Sequence, residues 1–594
     1  MPMSLLQRIE PQEEWTKVEE HRKQLSRQLE ECFETDKTAV NKLKKFLWDS
    51  GIYDISEMDY PLREQYRSYL SEHLKGQLNR YVTAYDRVKQ HWIQEQMKTL
   101  PGKQKCQWRF EEKILFIPYH PDTEIVKEFD SVRHQKNMVW DFSRNCPLTL
   151  KKQVFQILNS IIAQYDDKGR KREHRLSGLR HLYDFCARQR IADLEKLESH
   201  EIENFTAYLN HVIESDSRKS QLLPILNYSR KELFLNSREI NWEANIWYLE
   251  RLNLPKDRVN PSGCFESISF LEITVRENRR YLQEYMKYVL GITGTAVSTS
   301  VGKHNSVRKF MKWLNIEERK VCDSASEWLD QYFKYLQDKG NTTKTFNENV
   351  THIHQFYRFL LARNYINKIP FRPEYYLKKI IRKHHDRSVS MDVCMEILGK
   401  LYLLPDQTRC MYLHLWCLGL RVSEVCTLKG DAYYQQGQDA WIQVYQIKMK
   451  NYKRVPIPDA LYQIMQVYIK KYHIKNDEYL FKNQKGGACH SATFRHQMMK
   501  FCEENRIDGG KYLFQSHDYR HTLATYLFDT GVSLQSIRDL LGHGYDEMTQ
   551  QYVDYMPKKI AGASEEYFRD KGNSLAAGIT KGEKHGGQNL LPGT

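Results

Sequence analysis

The residues best suited to chemistry stand in the last third of the 594-residue chain, each beside the end of an expected helix or strand. Helical apolar spacing through Leu413, Trp416 and Cys417 stops at Gly419, a residue that tolerates the backbone turn closing a helix, so Arg421 begins the next helix, RVSEVCTL. A helix start with a guanidinium beside it suits a phosphate. Trp441 to Ile447 (WIQVYQI) reads as a strand and Arg454 to Pro458 (RVPIP) as its return, which makes Lys448 to Lys453 the connecting turn of a lysine-tipped hairpin. Ser516 is placed to cap a helix beginning His517-Asp518-Tyr519-Arg520-His521, whose i, i+3 spacing puts His517 and Arg520 on one face, with Leu523, Tyr526 and Leu527 turned to the core. Ser533 caps LQSIRDLL, Gly542 stops it, and His543 follows at once; Tyr552 stands nine residues further on, in DEMTQQYVDY.

Positioning these groups requires several domains, because one core rarely serves more than about 200 residues. Lys and Arg number 90 against 75 Asp and Glu, and the net charge of +15 is that of a polyanion binder, with nucleic acid the natural partner. Apolar runs such as Leu413 to Leu420 fall far short of the ~20 residues of a membrane span, and the polar N-terminus has no signal-peptide core, so a soluble, intracellular protein is expected. Twelve Cys without a C-x-x-C or a tight Cys/His group argue against a disulfide framework and a structural zinc, and for buried thiols in a reducing cytoplasm. A hydrophobic content of 41% with 12% aromatics supplies several packed cores.

From Trp15 to about Lys383 the periodicity is helical. Three stretches share one spacing, an i, i+3 apolar set followed about two dozen residues later by an aromatic-x-x-Tyr-Leu helix. They are Leu43/Phe46/Leu47 with Tyr66/Tyr69/Leu70, Leu179/Leu182/Phe185 with Phe205/Tyr208/Leu209, and Val307/Phe310/Trp313 with Tyr332/Tyr335/Leu336. One module used three times, or simply three amphipathic helix pairs, explains this equally well. KTLPGKQKCQ from Lys98 and LPKDRVNPSG from Leu254 interrupt the pattern, and Arg382-Lys383-His384-His385-Asp386-Arg387 forms a basic linker, either a plain connector or a DNA contact made by Arg382, Lys383 and Arg387. The expected division is 1–105, 106–262, 263–380, a helix-and-strand region at 388–568, and a disordered Gly-rich tail at 569–594.

Singly, these polar residues are ordinary surface or core groups. Their order is not ordinary: Arg421 in GLRVSE, Lys448 eight residues before the Pro of RVP, His517 and Arg520 in HDYRHTLAT, His543 in LGH, and Tyr552 nine beyond it. Here the chain resembles the tyrosine recombinases, or phage integrases, strongly over 388–556 and more weakly over 270–371, with Glu424, Leu480-Phe481 and Gly486-Gly487 falling at the family's intervening signposts. The resemblance implies a mainly α multidomain protein, with α-helical core-binding (SAM-like) domains and a mixed α+β catalytic domain holding a small β-sheet. Its length is similar to that of the large transposon-encoded members.

The resemblance also implies roles. Arg421 and Arg520 would hold the non-bridging phosphate oxygens, His543 would add a donor, His517 would take the proton of the Tyr552 nucleophile, and Lys448 would protonate the leaving 5′-oxygen. Glu424 and Asp518 would orient Arg421 and the helix start, or serve as plain surface carboxylates. The product would be a 3′-phosphotyrosine, with no metal or other cofactor needed. Partners would be double-stranded DNA at element ends and target sites, a homotetramer formed on it and possible accessory recombinase subunits, without a membrane, in a bacterial nucleoid. Two departures stand out: Lys448-Met449-Lys450 replaces the usual G-K-G or T-K-T, making Lys450 a rival to Lys448, and Tyr555 follows Tyr552 by three residues. The alternatives are a type IB topoisomerase, which commonly has Lys where His517 stands, and a catalytically idle DNA-binding regulator.

Overall fold

The Lys-, Glu- and Leu-rich stretches fold as helices, and short polar side chains set where many of them begin. Asp59 accepts a hydrogen bond from Leu62 N at 2.9 Å, Thr342 from Thr345 N at 3.2 Å and Ser533 from Ser536 N at 3.1 Å, each satisfying an amide that the first helical turn leaves open. The computed structural model describes residues 11–32 (backbone only over 11–17), 36–74, 76–111, 113–129, 137–164, 170–380, 387–542, 564–567 and 569. These fall into two compact units, 1–251 with 269–274, and 252–268 with 275–594.

The first unit is built from α1 (Pro11–Glu30), α2 (Lys37–Asp49), α3 (Tyr60–His73), α4 (Leu78–Gln96), α5 (Leu100–Lys105), α6 (Thr123–Phe129), α7 (Leu148–Gln164), α8 (Lys171–Arg188), α9 (Ser199–Val212), α10 (Asp216–Leu222) and α11 (Ile225–Asn236). Short strands β1 (Ile114–Phe116) and β2 (Val139–Asp141) pair antiparallel, so this part is not purely helical, and α5 occupies the Lys98 to Gln107 stretch expected to be irregular. Leu43, Phe46, Tyr66, Leu70 and Tyr85 centre one buried core; Trp140, Ile157, Leu182, Phe185 and Phe205 centre a second. The strands β3 (Ile246–Tyr248) and β4 (Ser267–Ser269) follow.

The second unit continues with α12 (Arg276–Gly291), α13 (Val297–Leu314), α14 (Ser326–Asp338) and α15 (Thr343–Ala362), an aromatic-rich bundle in which Phe310, Tyr332, Phe356 and Tyr357 are buried. Beyond the linker come α16 (Met391–Lys400), α17 (Asp406–Leu418) and α18 (Val422–Cys426). Three strands, β5 (Tyr433–Gln436), β6 (Asp439–Gln446) and β7 (Asn451–Pro456), form an antiparallel sheet in that order. The unit ends with α19 (Asp459–Lys471), α20 (Ser491–Glu504), α21 (Asp518–Asp529) and α22 (Leu534–Leu541). One core unites Met411, Leu415, Val425, Ile442, Val444, Val455, Met465, Phe481, Phe494, Met498 and Tyr519. All twelve cysteines are free thiols, and among the described residues no helix is long and apolar enough to cross a membrane.

Three local readings need correction. The hairpin turn is Ile447 to Lys450, four residues rather than six, because β7 begins at Asn451; Val444 faces Lys453, and Gln446 faces Asn451. Residues 451–453 pair as a strand despite their polarity, because β6 offers a full row of backbone partners. Helix α21 starts at Asp518, with His517 rather than Ser516 at its cap, and Tyr526 lies exposed instead of in the core.

Candidate active site

Four charged side chains from three places in the chain meet beneath the sheet. Gly419 closes α17 with φ +54, and a Cβ there would press on Leu523 and Leu541 at 3.0 and 3.4 Å, so only glycine lets the chain turn into α18 at this spot. Arg421 is then the N-cap of α18, and Glu424, three residues on, reaches back to it. Glu424 Oε2 accepts from Arg421 N at 3.1 Å and Oε1 accepts from Arg421 Nη1 at 2.7 Å. Glu424 is buried, and Arg421 retains partial exposure. The carboxylate thus holds both the backbone and the guanidinium of the same arginine and is no surface group.

Arg520 comes from the first turn of α21 and is fully buried. Its Nη1 donates to Gly419 O at 3.0 Å and its Nη2 to Leu541 O at 2.5 Å, tying α21 to the ends of α17 and α22. A buried guanidinium is costly to dehydrate, and these carbonyls together with Glu424 supply the compensation.

The fourth member is Lys453, which the sequence pattern assigned to the turn. The two-residue period of β7 sends Lys453 inward with Val455. Its Nζ lies 3.6 Å from Glu424 Oε2 and donates to the carbonyls of Leu540 and Leu541 at 3.3 and 3.4 Å. Burial lowers its pKa to about 8 against the pull of Glu424, and the nearby Arg520 and Arg421 add to the lowering. Burial alone would raise the Glu424 carboxyl, yet Lys453, Arg421 and Arg520 around it hold it below the usual glutamate value. The missed signal was the position of Lys453, two residues before Val455 and therefore on the same strand face.

The end of α22 is held by the same group. Besides Arg520 and Lys453, Gln446 at the end of β6 donates through Nε2 to Gly542 O at 3.2 Å. Gly542 has φ +66, and a Cβ would collide with the Gln446 amide at 2.2 Å. Three donors therefore satisfy the last carbonyls of α22, where a helix carries partial negative charge. His543 is the next residue in the chain but lies outside the described residues, as do Tyr552, its rival Tyr555, and Arg382 and Lys383 of the linker.

His517 sits at the N-terminus of α21, its ring 5.4 Å from that of His521. Although part of the residue stays exposed, dehydration of the ring pushes its pKa down to about 4, helped by the charges of His521, Arg520, Arg387 and Arg421. It is therefore an uncharged imidazole at neutral pH, able to accept a proton. Arg387 is exposed, and its charge reaches His517, so this linker residue adjoins the cluster.

Lys448 is not part of this assembly. It lies exposed in the turn between β6 and β7. Lys450, with φ +56, donates to Asp257 Oδ2 at 3.0 Å, so the rival lysine is engaged elsewhere on the surface.

The site carries two buried cations flanking a carboxylate, a partly open guanidinium at a helix start and a neutral imidazole. That set can hold the oxygens of a phosphate diester and receive a proton beside it. Residues 393–559 match the model described as "Phage integrase family". Transposase B from transposon Tn554 of Staphylococcus aureus is 26% identical over 324 residues, 52% of this chain and 51% of that protein, so the chain spans about half of that relative's length. Tyrosine recombinase XerC of Bacillus pumilus is 23% identical over 293 residues, covering 46% of this chain and 92% of XerC. A structure of the Tn1549 transposon integrase in complex with transposon right end DNA aligns at 17% identity and a TM-score of 0.38, over 48% of this chain and 98% of that one. Residues 393–559 thus carry a phage-integrase-family domain, and over about half its length the chain resembles tyrosine recombinases, transposon-encoded ones among them.

Proposed function

We propose that this protein is a site-specific DNA recombinase of a mobile element, which cleaves and rejoins duplex DNA through a 3′-phosphotyrosine. The observation that carries the reading is the prebuilt Arg421–Glu424–Arg520–Lys453 cluster with neutral His517 beside it. Cleavage of a phosphodiester demands barrier reductions toward the upper part of the ~8–23 kcal/mol that enzymes supply. Fixed positive charge aimed at the developing pentavalent phosphorane is the largest available contribution. Arg421 and Arg520 hold the non-bridging oxygens, and His543 adds a third donor. A tyrosine phenol carries its proton at neutral pH, so His517 takes the proton of Tyr552 as the phenolic oxygen attacks phosphorus. The P–O bond to the 5′-oxygen breaks and Lys448 gives that oxygen a proton, leaving a 3′-phosphotyrosine and a free 5′-hydroxyl. A 5′-hydroxyl from a second strand reverses the step, regenerating Tyr552 and a joined strand. These steps call on no metal or nucleotide.

Recombination joins two duplexes, so the working form is a tetramer on DNA, with α12–α15 and the linker cations Arg382, Lys383 and Arg387 closing over the duplex. The likeness to Transposase B supports a transposon setting, and accessory recombinase subunits fit the same setting. The bacterial relatives support a bacterial cytoplasm as its site of action.

A nicked suicide duplex made from the end of the encoding element tests the proposal. An SDS-resistant protein–DNA adduct is expected with the parent and none with Tyr552→Phe, while both bind DNA. An adduct retained in Tyr552→Phe reassigns the nucleophile to Tyr555 or rejects this chemistry, and binding without any adduct selects the idle regulator. Relaxation of supercoiled DNA without exchange of partners would select the topoisomerase.

A further inference from the structure

The first unit has no role in the chemistry above, yet it holds the bundle α12–α15 twice over in outline. In each of three places two helices lead to a 3-10 turn, Ile55–Glu57, Leu194–Lys196 and Val321–Asp323, whose first residue is buried. A helix follows directly: α3, α9 and α14. The aromatic pairs recur at matching distances: Phe46–Tyr66 at 4.9 Å, Phe185–Phe205 at 5.4 Å and Phe310–Tyr332 at 4.9 Å. The second aromatic, one helical turn on, recurs as well, with Tyr66–Tyr69 at 6.5 Å, Phe205–Tyr208 at 6.3 Å and Tyr332–Tyr335 at 6.2 Å.

A hydrogen bond with changing chemistry makes the match specific. The carbonyl of the buried first residue of each 3-10 turn accepts from the bundle's last helix. Lys89 Nζ donates to Ile55 O at 3.0 Å, Arg230 Nε to Leu194 O at 3.4 Å and Tyr357 OH to Val321 O at 3.4 Å. Three unlike side chains perform one task at one place, which generic amphipathic helix pairs have no reason to share.

The copies differ in charge where the second helix meets its shared phenylalanine. The third copy has Arg308-Lys309 before Phe310, and the first has Lys44-Lys45 before Phe46. In the first, Lys37 and Lys45 are exposed, and Lys44 and Arg22 of α1 lie over the Trp48 ring at 4.8 and 5.4 Å. Among the described residues, no carboxylate pairs with Lys37, Lys44 or Lys45. The middle copy has Tyr183-Asp184 instead; Asp184 bonds Arg144 and Tyr183 donates to Asp141 O, so those positions are consumed by internal contacts.

We propose that the first unit holds two further copies of the α12–α15 module, of which the first, through Lys37, Lys44 and Lys45, is a second docking surface for the phosphate backbone of duplex DNA, and the middle copy a spacer. The inference rests on the reading above that α12–α15 grips DNA. Charge complementarity selects the occupant, since Lys37 and Lys44 lie seven residues apart on one side of α2, with Lys44 over the Trp48 ring and exposed Lys45 beside them, and such a group of cations suits a polyanion.

Binding of the full chain to a long random-sequence duplex across a salt series tests it. Removing one lysine that neutralises a phosphate lowers the steepness of the negative slope of log K against log salt by about 0.9. The triple variant Lys37→Gln/Lys44→Gln/Lys45→Gln is expected to lower it by about 2.7, and Lys37→Gln/Lys45→Gln, which spares the Lys44–Trp48 pair, by about 1.8. An unchanged melting temperature excludes unfolding as the cause. Arg188→Gln/Arg190→Gln in the middle copy is expected to leave the slope unchanged, and a fall there overturns the spacer assignment. If Lys309→Gln/Lys312→Gln lowers the slope while the N-terminal variants do not, this inference fails and the recombinase reading stands. A parent chain that binds no duplex ends both.

Discussion

The buried cluster under the sheet and the tip of the β6–β7 hairpin hold lysines only five residues apart, Lys453 and Lys448, yet they are opposite environments. Lys453 is buried, tied to Glu424 and to two helix-end carbonyls, while Lys448 is exposed in a turn. Under the proposed function, the difference separates two tasks. Groups that stabilise charge on a phosphate work best already fixed in place, and burial with mutual hydrogen bonds fixes them. A proton donor for the leaving oxygen has to meet the substrate after it binds, and a turn allows that movement where a packed strand does not.

Experiments can break or sharpen this contrast. The largest effect is expected from Lys448→Ala, a loss of about 10²–10⁴ in cleavage rate, restored on DNA with a sulfur in the 5′-bridging position because a thiolate leaves without a proton. Failure of that rescue would move the general acid to Lys450 or to the buried Lys453. Next, Arg520→Ala should cost about 10²–10³ in cleavage rate, as loss of one preorganised donor does elsewhere. It should also lower the melting temperature, since Gly419 O and Leu541 O lose their partner. A rate near that of the parent would remove Arg520 from the site. Lys453→Met is expected to slow cleavage about tenfold without phosphorothioate rescue, because the side chain positions Glu424 and α22 rather than giving up a proton. Rescue would overturn the contrast between the two lysines.

The smallest effect concerns pH. His517 has its pKa lowered from 6.5 to about 4 in the folded chain. Between those values the unfolded chain binds the proton and the folded chain does not, so folding stability falls as pH drops through that window and is unaffected above it. His517→Gln should flatten the stability profile there, by less than the full shift because the group is partly exposed. An unchanged profile would assign the acid limb to carboxylates.

The helix ends that frame the cluster were legible because helix-end chemistry is local. Gly419 and Gly542 stop their helices where the sequence placed the stops, and Ser533 caps α22, so Arg421 and Glu424 emerged from local rules. The hairpin failed by three residues. Asn451 to Lys453 look like turn residues, and only pairing with Val444 to Gln446 makes them a strand. The strand β5 was missed for the same reason: a four-residue stretch of Tyr and Gln takes its conformation from β6 beside it.

The sequence by itself determined the mainly helical architecture, the ends of α17 and α22 and the start of α22, and the set of residue types in order, since these depend on neighbours a few positions away. Tertiary structure alone decided which of three hairpin lysines is buried against Glu424 and which stays at the tip. It also decided that Arg520, 21 residues away, and Lys453, 88 residues away, both cap Leu541 at the end of α22, because strand register and the meeting of helix ends are set by packing between separate segments.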